Sequence, residues 1–333
     1  MKVFTDNSII KNYIDQKNYS DAAKTLFGIQ INDWLMLKDG VRSLETVKTK
    51  SFRFDEFKIK AQFNAGRIIS TSAKVDPKSI SERKCFLCVE NLPEQQRGIL
   101  YNKDYIILCN PFPIFPEHFT ITHKEHQPQR IIDTFSDMLD LSRDLFKYYS
   151  VIYNGPRCGA SAPDHLHFQA GNKFFMPLDD EFHLLKNKYG KEIFDSDDLS
   201  VFAVDDGIRK FISIESSDKD LMVKTFKKFY KLYSRLINED QEPLMNLISF
   251  YEEEFGWRVI IFLRAKHRPA VFFAEDETKM LVSPAAIDIG GVCVFPREED
   301  FNRITKEQIA DIFKEVFIDN VTLEKVILEL AKI

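Results

Sequence analysis

The sequence lacks any apolar run long enough to cross a bilayer. A transmembrane helix needs roughly 18 or more consecutive apolar residues, and no stretch of the chain reaches that length. The first residues also lack the apolar core and the small-residue cleavage site of a secretory leader. We therefore expect a cytoplasmic protein with no membrane partner.

An excess of positive charge is also missing. Lys and Arg total 46 residues against 51 Asp and Glu, so the formal net charge is -5 at pH 7. Proteins that coat nucleic acid present a broad basic face, and this charge balance argues against a nucleic-acid partner. A local basic pocket for a phosphate is compatible with it.

Cysteine and histidine are scarce, at five and seven residues in 333. An odd number of cysteines makes a poor disulfide framework, and only Cys85 and Cys88 form a close pair. In a reducing compartment such a pair favours metal binding or redox chemistry, although packed structural thiols are an alternative. Two cysteines are half of a tetrahedral site. The nearest candidates for the other ligands are His118, His123, His126 and His165.

The length and the 44% hydrophobic content suit two domains, or one domain built from two similar halves. Periodicity predicts an α+β protein. Helices are predicted at 7–38, 131–147, 219–238 and 305–317, the last helix ending the chain. Strands are predicted at 105–109, 118–123, 148–153, 165–170, 211–215, 245–251, 257–263 and 289–295, with two or three more in 51–73.

The order of these elements repeats along the chain. A helix begins at residue 131 and the last strand of its group at 165, and the corresponding positions in the second half are 219 and 257. The residues themselves do not repeat, so coincidence within an α+β protein is the alternative. We predict two half-domains, residues 1–172 and 173–333, each an antiparallel sheet with a packed helix, related by a pseudo-two-fold axis.

Two of the seven histidines fall in the run HLHFQ at residues 165–169. Side chains two apart in a strand project from the same face, so His165, His167 and Gln169 share a face. Polar groups in that pattern are costly if they are buried without partners. The pattern favours a functional face, and an edge strand with a polar face is the alternative.

The loop before this strand, residues 154–163, is rich in small residues and includes Gly159. A loop of this kind brings backbone N–H groups close to a phosphate, and the Ser161 hydroxyl is placed to donate to a phosphate oxygen. An ordinary connection between two strands is the alternative.

Taken together, these residues resemble the histidine-triad superfamily. The resemblance rests on Cys85-x-x-Cys88, on NP at 110–111, on PEHFTITHKEH at 116–126 and on HLHFQ at 165–169. The hydrolase branch has a third histidine where this chain has Gln169, and His-x-His-x-Gln is the form of the transferase branch. That branch holds galactose-1-phosphate uridylyltransferase, diadenosine tetraphosphate phosphorylases and GDP-hexose phosphorylases. Residues 62–171 are most similar to a little-characterised bacterial family within it.

The resemblance implies roles for individual residues. His167 would attack the α-phosphorus and hold the nucleotidyl group, and Gln169 would donate to a phosphate oxygen. The implied zinc ligands are Cys85, Cys88, His126 and His165, with His118 as the fallback for His126. The implied substrate-binding residues are Asn64, Arg67, Asn154, Gly159 and Ser161.

Some positions depart from the family pattern. His123 stands where relatives commonly have proline, and zinc is absent from several relatives. The second half, with WRVIIF at 257–262, would be a degenerate copy that lacks both histidines. It carries a cluster that suits either a phosphate subsite or a solvated loop: Arg264, Lys266, His267 and Arg268.

The implied function is a nucleotidyltransferase or phosphorylase that forms a covalent nucleotidyl-His167 intermediate. Its partners would be a nucleotide, sugar-nucleotide or dinucleoside polyphosphate substrate and a phosphate-type acceptor, with structural Zn²⁺ as cofactor and a homodimer as one option for its assembly. Two alternatives stay open. One is a histidine-triad-like nucleotide hydrolase, and the other is a non-catalytic nucleotide-binding module.

Overall fold

The computed structural model of the protein describes residues 3–72 and 75–332. It contains an antiparallel sheet of ten strands and a separate sheet of three strands. The strands are β1 (Lys48–Phe54), β2 (Phe57–Phe63), β3 (Gly98–Tyr101), β4 (Tyr105–Cys109), β5 (His118–His123), β6 (Tyr149–Asn154), β7 (His167–Asn172), β8 (Gly190–Asp195), β9 (Ser200–Asp205), β10 (Lys210–Ser216), β11 (Met245–Glu252), β12 (Gly256–Leu263) and β13 (Val292–Phe295).

Helices lie on both faces of the large sheet. Among the described residues, no helix combines the length and the apolar character that crossing a bilayer requires. The helices are α1 (Ser8–Asp15), α2 (Tyr19–Asp33), α3 (Leu35–Ser43), α4 (Ile68–Thr71), α5 (Pro77–Glu82), α6 (Phe135–Asp144), α7 (Pro177–Tyr189), α8 (Lys219–Leu236), α9 (Ala270–Phe273), α10 (Ala286–Ile289), α11 (Glu298–Arg303), α12 (Lys306–Val316) and α13 (Asn320–Leu330).

The strand order of the large sheet shows the duplication. The order is β3-β4-β5-β7-β6-β11-β12-β10-β9-β8. Each half contributes three consecutive strands, a helix (α6 or α8) and a hairpin, and the first strand of each hairpin lies at the centre. There β6 and β11 pair antiparallel, with Asn154 opposite Asn246. The two half-domains predicted from the repeat of element order are therefore present. The division between residues 172 and 173, which falls at the end of β7, remains a prediction.

Alternation along the strands divides the core into two layers. On β7, Phe168 and Ala170 pack into the layer formed with α2, α6, α8 and α13. The opposite layer holds α7, α10, α12 and the small sheet. His167 and Gln169 project towards this second side, because residues two apart on a strand share a face. The small sheet joins the halves, since β13 pairs parallel with β2.

The sequence-based elements agree closely with the structure at the centre of each half. The strands predicted at 105–109 and 118–123 have the bounds of β4 and β5, and the helix predicted at 219–238 is α8 with two residues fewer. The helical stretch predicted at 7–38 is three helices. It breaks at Lys17, which has a positive φ of 57°, and again at Trp34, which has an extended backbone.

The region predicted at 51–73 to hold two or three strands contains β1 and β2, and the chain then turns helical from Ala65 to Thr71. Two expectations need correction. His165 lies just before β7, which begins at His167. The chain does not end with the helix predicted at 305–317, because α13 follows it. The predicted pattern also omits α7 and the outer strands β3, β8 and β9. Alternation is weak in β8, where no residue is buried.

A fully buried ion pair joins the second half to the small-sheet layer. Asp206 accepts hydrogen bonds from Arg209 Nε at 2.7 Å and from the Arg209 backbone N–H at 2.8 Å. Arg209 Nη1 donates to the Ile289 carbonyl at 3.0 Å, and its guanidinium lies 4.5 Å from the centre of the Phe57 ring. One guanidinium thus connects the β9–β10 turn, α10 and β2.

We expect Asp206→Ala to lower the free energy of unfolding by about 3–5 kcal/mol, because it leaves the Arg209 charge buried without a partner. Urea denaturation measures the change. The matched control is Lys191→Ala, which breaks an exposed ion pair with Glu324 and should cost at most about 1 kcal/mol. Equal losses in the two variants would contradict this account of the buried pair.

Candidate active site

His167 begins β7 and lines a cavity of about 530 Å³. Its backbone is fixed on both sides by Gln129. The His167 N–H donates to Gln129 Oε1 at 2.8 Å, and Gln129 Nε2 donates to the His167 carbonyl at 2.9 Å. Only 6% of the residue's surface is exposed. The position of the imidazole is therefore set by the two hydrogen bonds from the Gln129 side chain as well as by the strand.

One hydrogen bond sets the tautomer of His167. Its Nδ1 lies 2.8 Å from the His165 carbonyl oxygen. A carbonyl only accepts hydrogen bonds, so Nδ1 carries the proton and Nε2 keeps its lone pair. Burial lowers the pKa of His167 to about 4 because desolvation disfavours the charged form. At neutral pH the side chain is an uncharged imidazole with an unprotonated Nε2.

A nucleophilic histidine needs its second ring nitrogen held by a hydrogen-bond acceptor. In this structure the acceptor is the carbonyl of His165, two residues before His167, and not a group of the 154–163 loop. The acceptor for the His167 ring therefore comes from the HLH run itself.

Gln169 is oriented by a second histidine. The Ile114 backbone N–H donates to His118 Nδ1 at 3.2 Å, which leaves the proton of that ring on Nε2. His118 Nε2 then donates to Gln169 Oε1 at 2.8 Å. With its oxygen engaged, Gln169 directs its amide NH₂ as the available donor on the wall of the cavity it shares with His167.

His118 is fully buried. Burial, with a smaller contribution from the nearby Arg67 charge, lowers its pKa to about 3. It therefore stays neutral and keeps the tautomer that fixes Gln169. The sequence offers His118 only as a fallback metal ligand, whereas the structure places it outside the Cys–His cluster. The PEHF segment is the signal that could have identified its role.

Polar and apolar side chains share the wall of the cavity. Thr120 and Ser161 line it together with His167 and Gln169. Apolar side chains, among them half-exposed Phe86, also line it. A mostly apolar cavity with a few polar groups is typical of a small-molecule site. The apolar lining residues are Met36, Phe86, Leu87, Leu92, Pro93, Leu108, Cys109, Pro111, Phe112 and Ala162.

The 154–163 loop is held against the second half. Asn154 Oδ1 accepts hydrogen bonds from Asn246 Nδ2 at 2.7 Å and from the Ala286 N–H at 2.9 Å. Gly159 has a φ of +94°, and a Cβ there would lie 2.6 Å from the Ala285 Cβ. Glycine is therefore required at this position both for the backbone conformation and for the close approach of the two halves.

Two of the other substrate-binding candidates lie at the cavity and one does not. Arg67 and Ser161 both line it. Arg67 Nη1 donates to the Phe112 carbonyl at 2.6 Å, and burial lowers the pKa of Arg67 to about 10, so it stays charged at neutral pH. Asn64 is buried and donates to the Pro113 carbonyl at 3.2 Å, which gives it a structural bond beside the site.

Four side chains converge as the resemblance implies for a metal centre. The ligand atoms of Cys85, Cys88, His126 and His165 lie within 4.8 Å of one another. Cys85 Sγ is 3.3 Å from His165 Nδ1, and Cys88 Sγ is 3.2 Å from His126 Nδ1. Zinc bonds of about 2.3 Å to sulfur and about 2.0 Å to nitrogen give tetrahedral sulfur–nitrogen edges of about 3.5 Å. The cluster therefore has the donor types and the size of a zinc site.

Neighbouring groups orient these ligands. His165 Nε2 donates to the His123 carbonyl at 2.7 Å, which leaves Nδ1 free to bind a metal. Asp164 Oδ2 lies 3.7 Å from His126 Nε2, and the same carboxylate pairs with Arg83. His123 thus contributes its backbone oxygen rather than its ring.

The cluster at 264–268 divides into different roles. Arg264 is fully buried and donates to Asn246 Oδ1 at 2.7 Å and to the Pro284 carbonyl at 2.9 Å. Lys266 is exposed and pairs with Glu315 at 2.9 Å. His267 and Arg268 are half-buried. The sequence cannot separate these roles, because they depend on contacts with distant segments.

Each half of the sequence matches a protein family. Residues 26–172 match the family described as "Domain of unknown function (DUF4922)". Residues 192–332 match the family described as "GDPGP1-like, C-terminal domain". Comparison with curated proteins gave no match.

The fold is similar to that of a yeast enzyme. The crystal structure of yeast Ap4A phosphorylase Apa2 in complex with AMP aligns with a TM-score of 0.56 at 15% identity, covering 85% of this chain and 96% of that one. The complex of the same enzyme with Ap4A gives 0.55 at 15% identity, covering 86% and 97%. At this identity the likeness concerns the fold. The match of the second half to GDPGP1-like proteins and the likeness in fold to an Ap4A phosphorylase both support the resemblance to the transferase branch of the histidine-triad superfamily.

Proposed function

We propose that the protein is a nucleotidyl-transferring phosphorylase that carries the nucleotidyl group on His167. The observation that carries this proposal is the buried, neutral His167 imidazole, whose Nδ1–H is held by the His165 carbonyl beside the oriented amide of Gln169. An imidazole in this state is a nucleophile at neutral pH without prior loss of a proton.

The relatives support the choice of substrate class. The second half matches GDPGP1-like proteins, and the similar yeast fold belongs to an Ap4A phosphorylase that has been crystallised with AMP and with Ap4A. The cavity agrees with such substrates, because its apolar side chains suit a nucleobase and its polar side chains suit the α-phosphate. We therefore propose a sugar nucleotide or a dinucleoside polyphosphate as donor.

The proposed reaction has two displacements at one phosphorus. His167 Nε2 attacks the α-phosphorus, and a P–N bond forms as the P–O bond to the leaving phosphate breaks and its electron pair departs with that oxygen. An acceptor phosphate oxygen then attacks the same phosphorus, and the P–N electron pair returns to Nε2. In both steps the Gln169 amide and the Ser161 hydroxyl donate to the oxygens on which charge develops.

Two other functions remain as alternatives to be tested. A histidine-triad-like hydrolase would transfer the nucleotidyl group to water and show no dependence on phosphate. A nucleotide-binding module would bind without turnover. A screen of sugar nucleotides and dinucleoside polyphosphates, with and without inorganic phosphate, separates the three functions.

We expect His167→Ala to abolish transfer, because no other atom supplies the P–N bond. Wild-type protein incubated with a donor labelled at the α-phosphate should retain label that survives base and is lost in acid, as a phosphoramidate does. His167→Gly, which leaves space for a free imidazole, should regain part of the activity when imidazole is added. An active His167→Ala protein, free of host enzyme, would overturn the mechanism.

We expect Gln169→Ala to lower the transfer rate roughly 10²- to 10³-fold, the usual loss for one such donor. His118→Ala should reproduce part of that loss by freeing the Gln169 amide to rotate, and the double variant should lose little more than Gln169→Ala alone. Measured rates for the three variants form the test. His183→Ala, an exposed histidine on α7, is the control. Independent, multiplicative losses would show that His118 does not act through Gln169.

We also propose that the Cys–His cluster holds a structural zinc ion. All four positions are protein ligands, so the ion would have no open position for a substrate or water. The cluster lies next to the cavity, because Phe86 and Leu87, which stand between the two cysteines, line its wall. His165 links the cluster to the nucleophile through its carbonyl.

Elemental analysis should therefore find about one zinc per chain, and Cys88→Ser should reduce that content. Loss of the ion should lower thermal stability and raise the KM for the donor, because the cavity wall loses its support. Cys293→Ala, which removes a buried thiol of the small sheet, should keep its zinc. A metal-free protein with unchanged stability and activity would contradict the assignment.

A further inference from the structure

Strands β6 and β7 separate at the end that carries His167. Their paired residues end at Ile152, which lies opposite Gln169. In the same register Asn154 would lie opposite His167, and these two residues would exchange backbone hydrogen bonds. β6 nevertheless continues to Asn154, where it pairs with β11. The backbone of His167 therefore lacks its strand partner at the position where the proposed chemistry takes place.

The side chain of Gln129 occupies the gap between the two strands. Its Oε1 accepts the hydrogen bond of the His167 N–H at 2.8 Å, and its Nε2 donates to the Asn154 and His167 carbonyls, both at 2.9 Å. A side-chain amide carries the same carbonyl and N–H groups as a peptide unit. Here it stands where the peptide unit of a neighbouring strand would be, and it gives all three backbone groups a partner.

These hydrogen bonds allow the Gln129 amide one orientation. A flipped amide would place its NH₂ against the His167 N–H and its oxygen against two carbonyl groups. Gln129 is only 2% exposed, and a buried backbone group that loses its partner costs about 1–3 kcal/mol. The amide therefore holds the ends of β6 and β7 at a fixed separation, wider by one amide group than in a regular sheet.

The segment that carries Gln129 is itself anchored on two sides. The Gln129 N–H donates to the Pro163 carbonyl at 3.1 Å. Two residues further on, the Ile131 N–H donates to the buried carboxylate of Glu242, which belongs to the second half, at 2.6 Å. The same carboxylate accepts from the Tyr153 hydroxyl of β6 at 2.6 Å. Both halves of the chain thus hold the Gln129 segment beside β6.

The separation of the strands determines where the chain runs between them. After Asn154 the chain leaves β6, and it returns past Ser161, which lines the cavity together with His167. The His165 carbonyl, which accepts from the His167 ring, lies in the returning segment. A fixed His167 backbone and a fixed acceptor for its ring together determine where Nε2 lies in the cavity. Gln129 supplies the first of these two constraints.

We propose that Gln129 is a positioning residue for the nucleophile: its amide replaces the missing backbone pairing between β6 and β7 and places His167 for in-line attack. The inference rests on the proposed function and deepens it, because it adds a residue that acts on the reaction through another. Gln129 is absent from the described residues that line the cavity, so it acts through the His167 backbone. Misplacing a reacting group by about 1 Å can cost about 10²-fold in rate.

The test measures the loading of His167 separately from the binding of nucleotide. The reagents are adenosine and guanosine 5′-phosphorimidazolides, labelled at phosphorus. The P–N bond to His167 Nε2 forms as the P–N bond to imidazole breaks, and the departing imidazole takes a proton from water. Loading is followed in a single turnover, and the affinity for AMP and for GMP is measured by calorimetry. The variants are Gln129→Ala and Gln129→Glu.

We expect Gln129→Ala to load roughly 10- to 100-fold more slowly and to bind AMP and GMP as the wild type does, because the cavity wall is unchanged. Hydrogen exchange at the His167 amide should become faster, since its acceptor is gone. Gln129→Glu keeps the shape of the side chain and the acceptor for the His167 N–H, so it extends the test to a variant without a cavity. It should also load more slowly, because a carboxylate cannot donate to the two carbonyls.

Two controls separate position from stability and charge. Leu323→Ala creates a cavity in the core beneath α13 and should cost about 2–5 kcal/mol of stability. It should nevertheless load at the wild-type rate while it is folded. Gln95→Glu makes the same change of charge at an exposed glutamine and should match the wild type. Thermal unfolding shows which variants are folded at the temperature of the experiment.

Different outcomes would overturn different statements. If the folded Gln129 variants load at the wild-type rate, the positioning role is wrong and the covalent mechanism stands. Equally slow loading by Leu323→Ala would also reject the role, because the loss would then follow stability alone. A loss of AMP and GMP affinity as large as the loss of loading rate would assign Gln129 to binding instead. If the wild type takes no label from either reagent, the proposed function fails and the inference fails with it.

Discussion

The hydrogen bond from His167 Nδ1 to the His165 carbonyl is the interaction on which the rest of the site depends. It fixes the tautomer of His167, and it does so through the backbone of a residue whose ring belongs to the Cys–His cluster. His165 Nε2 is in turn held by the His123 carbonyl. A shift of this short segment would move His167 and the cluster together. His167 and the candidate metal centre therefore share one short segment of backbone.

The duplication explains why a half without catalytic histidines is still part of the site. The pairing of β6 with β11 places Asn154 opposite Asn246. The end of β6 is therefore hydrogen-bonded to the second half. Arg264 then holds Asn246 and the Pro284 segment from within the core. A buried guanidinium is costly unless its donors are satisfied, and here it donates to five oxygens across four segments. The second half therefore helps to position the 154–163 loop at the site.

The sequence could predict those features that are carried by short motifs. The HLHFQ run and the Cys-x-x-Cys pair identified the nucleophile candidate and three of the four members of the cluster, because their residues stand at fixed spacing, and the resemblance over 116–126 added His126. Strands β4 and β5 were predictable because their apolar residues form short, well-bounded runs. The order of elements was enough to predict two half-domains. In each case the information lies within a few consecutive residues.

Features that depend on distant contacts could not be predicted. His118 meets Gln169 only because β5 and β7 pair in one register, with His118 opposite Gly171 and Thr120 opposite Gln169. A shift by one residue would send His118 to the other face, and the sequence does not state that register. Arg264 looked like part of a solvated or phosphate-binding loop, yet it is fully buried. A single arginine can be buried only where carbonyl groups accept its hydrogen bonds, and here these groups come from segments distant in sequence.

The register of β5 and β7 also bears on the choice of acceptor in the proposed reaction. His118 fixes Gln169 as a donor, and an amide neither takes up nor releases a proton near neutral pH. Attack by water requires a base to remove a proton, which a histidine at this position could provide and a glutamine cannot. Attack by a phosphate oxygen requires no base, since that oxygen already carries the negative charge. An oriented amide beside a neutral imidazole therefore favours transfer to an anion over hydrolysis.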